Sequence, residues 1–109
     1  MFYWWYNRFM EIPEEIKALF STRDKAVAKK DRKLFLSTQI AEIEYGYSEG
    51  YLNMKNMTSD VLYVYKENEL EKIVFVNETY IPKDRDLYKG FLLYFLVNTV
   101  KGWKIYKVK

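Results

Sequence analysis

The sequence predicts an α+β domain in which N-terminal helices pack on a curved antiparallel sheet of four or more strands. In the first half of the chain, apolar residues recur with the period of about 3.6 residues that is typical of a helix. The second half is rich in β-branched and aromatic residues, with short connections of the kind that join antiparallel neighbours. Helices followed by closely linked strands indicate the α+β class.

The composition indicates one globular domain and excludes several kinds of chemistry. Of the 109 residues, 50% are hydrophobic and 19% are aromatic, which is enough to form a single core. The chain has no Cys and no His, so thiol nucleophiles, histidine-dependent hydrolysis and Cys- or His-ligated metal sites are excluded. We expect no metal and no cofactor. The longest apolar run, 90–97, is too short to cross a bilayer and no secretory signal is evident, so we expect a cytoplasmic protein.

Two helices are predicted before the strands. The buried side of the first helix is formed by residues at helical spacing, namely Ile16, Leu19, Phe20, Arg23 and Val27. Pro13 fits the first helical position, and Asp31 is a favoured N-cap residue for the second helix. The stripe of this second helix, which extends as far as residue 43, consists of Leu34, Phe35, Thr38 and Ile43.

From residue 44 onward the period changes. We interpret the segment 45–57 as a loop or a short irregular strand, because it contains two glycines among aromatic and polar residues. Four strand signals follow, at 60–66, 70–81, 86–100 and 103–109. The third is apolar on both faces, which predicts cover on both sides: the helices on one, and a second subunit or the N-terminal aromatic residues on the other.

Two segments resemble the nuclear transport factor 2-like superfamily. IKALFSTRDKAVAKKDRKLFLS, residues 16–37, is similar to the first two helices of that family, with Asp31 at the junction. YFLVNTVKGWKIYKV, residues 94–108, is similar to its last hairpin, in which a Trp and an aliphatic residue two positions later face the same side. The resemblance covers residues 12–109, so we interpret residues 1–11 as an aromatic arm that precedes the domain.

The resemblance implies a cone-shaped domain with a cavity at its wide end and frequent dimerisation through the outer face of the sheet. Catalytic members place Asp, Tyr, His or Arg inside the cone, but segment 40–59 does not align residue by residue, so no catalytic residue is carried over. We expect a non-catalytic binding domain that forms a homodimer and takes a protein partner or a small apolar ligand. The alternatives are a cofactor-free acid–base enzyme (isomerase, dehydratase or cyclase type) that uses Tyr and Glu, and an accessory domain at a membrane surface.

Alternation in the second strand predicts that Glu78 and Tyr80 share a face with Val74 and Val76. An inward Glu78 needs a partner or a shifted pKa, whereas an outward one would lie at a sheet edge or a dimer rim. The residues that we predict to contact a ligand are tyrosines and this glutamate: Tyr47, Tyr51, Tyr63, Glu78, Tyr80 and Tyr94.

The N-terminal arm carries an aromatic stripe at helical spacing, formed by Phe2, Trp5, Tyr6 and Phe9. Leaving four such side chains in water would forgo about 6 to 12 kcal/mol, so we expect this interaction arm to pack on its own domain, a dimer mate or a membrane surface. Basic residues at 25–33 and 101–109 form no continuous patch, because acidic residues interrupt the first group and the second alternates between strand faces. We therefore do not expect nucleic-acid binding.

Overall fold

The computed structural model describes residues 12–109, which fold as helices followed by an antiparallel sheet. The helices are α1 (Glu14–Lys29), α2 (Arg32–Leu36) and α3 (Ser48–Leu52), and the strands are β1 (Asn56–Lys66), β2 (Glu71–Ile81), β3 (Tyr88–Thr99) and β4 (Gly102–Val108). The strands lie in the order β1-β2-β3-β4, so each one pairs with its neighbour in sequence. The predicted α+β class and strand pairing are confirmed. Within this part of the chain no helix is long and apolar enough to cross a bilayer.

The junction between α1 and α2 follows from local backbone chemistry. Lys30 ends α1 in the left-handed region, with φ of 58°, and the Asp31 N–H then donates to the Ala26 carbonyl at 2.9 Å. The Asp31 side chain accepts a hydrogen bond from the Leu34 N–H at 3.0 Å and so caps α2, as predicted.

The prediction that the second helix extends to Ile43 was wrong, since α2 ends at Leu36. Beyond it the chain lies against the edge of β4, where the Ile105 N–H donates to the Thr38 carbonyl at 2.9 Å and the Ile40 N–H donates to the Ile105 carbonyl at 3.0 Å. Pairing an exposed strand edge in this way competes with continuing the helix. The segment interpreted as a loop or irregular strand instead contains the short helix α3, which buries Tyr51.

A bulge in β1 decides which of its side chains face the helices. Val61 pairs with Val76, but the next pair is Tyr63 with Phe75, so Leu62 is the extra residue. Each side chain after Leu62 therefore lies on the face of the sheet opposite to the one that unbroken alternation would give it. Tyr63 lies on the outer face with Phe75, although unbroken alternation would have put it beside Val61 on the inner face.

The inner face of the sheet packs on α1 in two clusters. The closed end is the apolar cluster around the first half of α1, formed by Ile16, Phe20, Val74, Val76, Leu96, Ile105 and Val108, with the Tyr94 ring at its border. The open end is the cluster around the second half of α1, formed by Ala26, Val27, Phe35, Tyr51 and Met57. Arg23 lies on the same side of α1 between them and is fully buried.

Candidate ligand-binding site

An open cavity of about 330 Å³ lies at the open end, between the α3 region and the inner face of β2 and β3. Its lining consists mainly of tyrosine rings, and comprises Tyr45, Tyr47, Gly50, Tyr51, Met54, Tyr80, Tyr88 and Leu92. None of these side chains carries a charge at neutral pH, so the cavity is apolar except for its phenolic hydroxyl groups.

Tyr51 joins α3 to the rest of the domain. Its ring lies 5.2 Å from the Phe35 ring and 6.3 Å from the Tyr80 ring, measured between centroids. The start of α3 is fixed by Glu42, which accepts hydrogen bonds from the Ser48 N–H at 2.9 Å and the Ser48 hydroxyl at 2.6 Å. These hydrogen bonds lower the pKa of Glu42. Glu42 therefore positions the wall of the cavity rather than facing into it.

Glu78 lies directly behind this wall with no exposed surface. Its two carboxylate oxygens accept hydrogen bonds from different phenols, Oε1 from Tyr80 and Oε2 from Tyr94. The Tyr94 hydroxyl also lies 3.4 Å from the Tyr51 hydroxyl. Burial raises the pKa of Glu78, and the two phenols and the positive charge of Arg23 offset this only in part. The arrangement is a chain of hydroxyl groups with one buried carboxyl at its centre.

The phenols of this chain remain protonated. Burial raises the pKa values of Tyr51, Tyr80 and Tyr94, and the negative charge of Glu78 raises all three further. They therefore act as hydrogen-bond donors and not as proton donors or bases at neutral pH.

Arg23 contributes a buried positive charge behind Tyr51. Its Nη1 donates to Thr38 Oγ1 at 2.9 Å and to Gln39 Oε1 at 2.8 Å. Both residues belong to the segment that follows the end of α2 and lies against β4. Its guanidinium carbon lies 4.2 Å from the centroid of the Phe35 ring and 5.2 Å from that of Tyr51. Within residues 12–109, Arg23 Nε and Nη2 have no hydrogen-bond partner.

Gly90 explains how the Tyr80 ring fits across the neighbouring strand. A Cβ atom added to Gly90 would lie 3.2 Å from Cε2 of Tyr80, closer than most such contacts. The missing side chain therefore leaves room for the ring of Tyr80 above β3.

The structure brings together five of the six side chains that the sequence predicted. Tyr47, Tyr51 and Tyr80 line the cavity, and Glu78 and Tyr94 lie behind it. Tyr63 lies on the outer face of the sheet because of the bulge at Leu62, so the structure does not place it at this cavity. The aromatic interaction arm, Phe2, Trp5, Tyr6 and Phe9, lies outside the described residues.

Sequence reasoning missed part of the site. Tyr45, Met54, Tyr88 and Leu92 line the cavity without having been proposed as ligand contacts. Arg23 was predicted only as a member of the buried stripe of α1. An arginine in an otherwise apolar stripe is unusual, and this was the signal that could have identified it as part of the site. Within residues 12–109, no group of three acidic side chains is placed to hold a metal ion.

Comparisons with known proteins give matches in structure alone. The sequence matches no family model and no curated protein. An NTF-2-like protein of unknown function from Shewanella oneidensis MR-1 aligns with a TM-score of 0.65 and 10% identity, over 84% of this chain and 92% of that one. A domain of unknown function with a cystatin-like fold from Nostoc punctiforme PCC 73102 aligns with a TM-score of 0.63 and 13% identity, over 83% and 70%.

A ketosteroid isomerase-like protein from Erwinia carotovora atroseptica SCRI1043 aligns with a TM-score of 0.61 and 15% identity, over 89% of this chain and 95% of that one. Identities this low establish a shared fold and do not transfer an activity. Together with the helices packed on a meandering four-stranded sheet, these matches show that the chain has the cone-shaped nuclear transport factor 2-like fold.

Proposed function

We propose that the domain binds a small, largely apolar ligand in the tyrosine-lined cavity and catalyses no reaction on it. The observation that carries this proposal is the cavity itself, about 330 Å³ of open space lined by rings and aliphatic groups. That volume lies within the usual range for small-molecule sites, which are mostly apolar with a few fixed polar groups. Here the fixed polar groups are the hydroxyls of Tyr51 and Tyr80, which the network behind the wall holds in place.

The protonation of the site argues for binding rather than catalysis. A general base must reach the proton that it removes, directly or through one water molecule. Glu78 is fully buried and both of its oxygens are occupied by phenols, while the raised pKa of Tyr80 makes its hydroxyl a poor acid. Because their protons are donated within the network, the hydroxyls of Tyr51 and Tyr80 are suited to orienting a ligand by accepting hydrogen bonds from it.

A neutral fluorescent probe, N-phenyl-1-naphthylamine, tests the proposal directly. Gly50 lines the cavity, and a Cβ added there meets nothing within 4 Å, so Gly50→Ala should fit without strain, and the longer side chain of Gly50→Leu should occupy part of the cavity. We expect the probe to bind the full chain, to bind Gly50→Ala with an affinity within about twofold, and to lose at least about tenfold in Gly50→Leu. Equal affinity for the leucine and alanine variants would refute a ligand site in this cavity.

An acid–base enzyme is the second candidate, favoured by one observation. The raised pKa of Glu78 and its hydrogen bond to a phenol that reaches the cavity are features of proton-transfer sites. Rotation of Tyr80 would expose the carboxyl to a substrate. The test is exchange of α-protons of a cyclic ketone in heavy water, followed by NMR. Exchange that disappears in Glu78→Gln would establish this candidate, and a background rate in the native chain would eliminate it.

We also propose that the outer face of the sheet forms a homodimer. Phe91 is 58% exposed there, and its ring lies 6.2 Å from that of Phe75, which in turn contacts Tyr63 at 5.3 Å. Such an aromatic patch is typical of protein interfaces. Light scattering should give twice the mass of one chain, and Phe91→Lys should halve it. Val100→Lys, at the exposed turn before β4, is the control that should leave the mass unchanged. A native chain that scatters as a monomer would disprove the dimer.

A further inference from the structure

We propose that the ligand is a small aromatic acid, with its rings in the tyrosine-lined cavity and its anionic group held by Arg85 and Lys83 beside the cavity mouth. This inference rests on the proposed binding function and names the chemical class of the ligand.

A second depression adjoins the cavity and supplies the polar half of the site. It has a volume of about 570 Å³ and is lined by Asn53, Met54, Pro82, Lys83, Asp84 and Arg85. Met54 lines both spaces, so they are neighbours with this residue between them. The guanidinium carbon of Arg85 lies 5.3 Å from the centroid of Tyr88, a ring of the cavity wall. A molecule that stacks beside Tyr88 therefore carries its end group close to Arg85.

The positive charges of this depression are available to an anion. Within residues 12–109, neither Lys83 nor Arg85 forms an ion pair, since the pairs are Lys17 with Glu14 and Arg32 with Glu42. A third cation lies near them, because the Lys30 ammonium group donates to the Met54 carbonyl. Burial and the charge of Lys83 lower the pKa of Lys30. Asp84 is the acidic side chain in this lining.

The charges around the cavity favour an anion over a cation. Tyrosine rings can also enclose an ammonium group, but Arg23 already lies behind Tyr51 and Arg85 against Tyr88, so these rings already contact cations. The carboxyl that is hydrogen-bonded to the cavity wall, that of Glu78, is closed off by phenols, and burial raises its pKa. In the lining of the depression two cations, Lys83 and Arg85, stand against one anion, Asp84, so the local charge favours an anionic end group.

Two fluorescent probes with the same rings test this inference. N-Phenyl-1-naphthylamine is neutral, and 1-anilinonaphthalene-8-sulfonate adds one sulfonate to the same skeleton. We expect the full chain to bind the anionic probe about fivefold or more tightly than the neutral one at low salt, and this ratio to shrink as salt is added.

Surface variants locate the anionic group. Arg85→Gln should weaken the anionic probe about fivefold and the neutral probe less than about twofold. Asp84→Asn should strengthen the anionic probe, because it removes the competing negative charge. Lys101→Gln, which removes the same charge from an exposed site in another part of the surface, is the matched control and should change neither probe.

The outcomes separate this inference from the proposed function. Equal affinity for the two probes, or equal effects of Arg85→Gln and Lys101→Gln, would overturn the aromatic acid and leave the cavity as a neutral site. Anionic binding that survives Gly50→Leu would assign that probe to another surface and also count against the inference. Failure of both probes to bind the native chain would overturn the proposed function together with the inference.

Discussion

The closed and open ends of the inner face share the same helix and the same strands but are built from different chemistry. On β2, the inward residues Val74 and Val76 are fully buried at the closed end. The next inward residues of that strand, Glu78 and Tyr80, belong to the hydrogen-bonded network of the open end. On α1 the same change occurs after Phe20, since the next buried residue is Arg23.

The difference shows how a small domain keeps a cavity open. Apolar side chains of the closed end fill space because they have no directional requirement, and interiors of that kind approach crystal-like packing. The phenols of Tyr80 and Tyr94 must instead point at Glu78, and a buried polar group that loses its partner is costly. The rings of the open end are therefore fixed by hydroxyl direction, which prevents them from collapsing into the space beside them.

The largest expected effect on stability comes from the closed end. Ile16→Ala removes a fully buried side chain from the apolar cluster, and we expect the free energy of unfolding to fall by about 2 to 5 kcal/mol. Urea denaturation provides the measurement. In the fraction that remains folded, the affinity for the neutral probe should stay within about twofold. A loss of probe affinity as large as that expected for Gly50→Leu would show that the two ends are not independent.

The network of the open end should show a smaller and graded effect. Tyr94→Phe leaves one oxygen of Glu78 unpaired in the interior and deprives Tyr51 of its partner, so we expect a cost of about 1 to 3 kcal/mol. Tyr80→Phe should cost about 1 kcal/mol or less, because Tyr80 is only partly buried and water reaches the vacated position. Urea denaturation of both variants checks this order, and a reversed order would contradict the network as described.

Much of this architecture was predictable from the sequence, most clearly the set of β2 residues that share a face with Glu78. Strict alternation from Val74 to Tyr80 placed Glu78 on one face with Val74 and Val76 and left open whether that face points inward, and the structure shows that it does. Short linkers likewise predicted the hairpin order of the four strands. Both features depend on residues close in sequence, for which a period of about two residues is a reliable signal.

The features that were missed depend on contacts between distant segments. The early end of α2 results from pairing of Thr38 and Ile40 with Ile105. The exchange of faces at Tyr63 results from one extra residue, Leu62, in the ladder with β2. Neither contact leaves a local pattern in the sequence. The wall of the cavity was incomplete for the same reason, because it combines Tyr45 and Met54, on either side of the unpredicted α3, with Tyr88 and Leu92 from the distant strand β3.

The pH dependence of stability tests the buried carboxyl. The unfolded chain releases the Glu78 proton near the usual pKa of 4.5, whereas the folded chain, with its raised pKa, keeps that proton to higher pH. The folded state then binds more protons, so this group makes stability fall as pH rises through the window that begins near 4.5. We expect Glu78→Gln, which cannot ionise, to show a smaller decline between about pH 5 and pH 8 in urea denaturation. Asp24, whose pKa burial also raises, is present in both proteins, so the difference reports Glu78 together with its electrostatic coupling to Asp24. Identical slopes would mean that Glu78 ionises normally.

The smallest expected change in stability comes from Gly90→Ala, and its value lies in separating stability from binding. Inside a strand, replacing glycine by alanine stabilises the folded state by about 0.5 to 1 kcal/mol. The new Cβ would, however, lie only 3.2 Å from the Tyr80 ring and press on it. These effects oppose each other, so we expect the free energy of unfolding to change by less than about 1 kcal/mol. The Tyr80 ring is tethered to Glu78 and lines the cavity, so its displacement should weaken the neutral probe about threefold or more. Increased stability with unchanged probe affinity would show that the ring yields freely and that the network does not hold the cavity open.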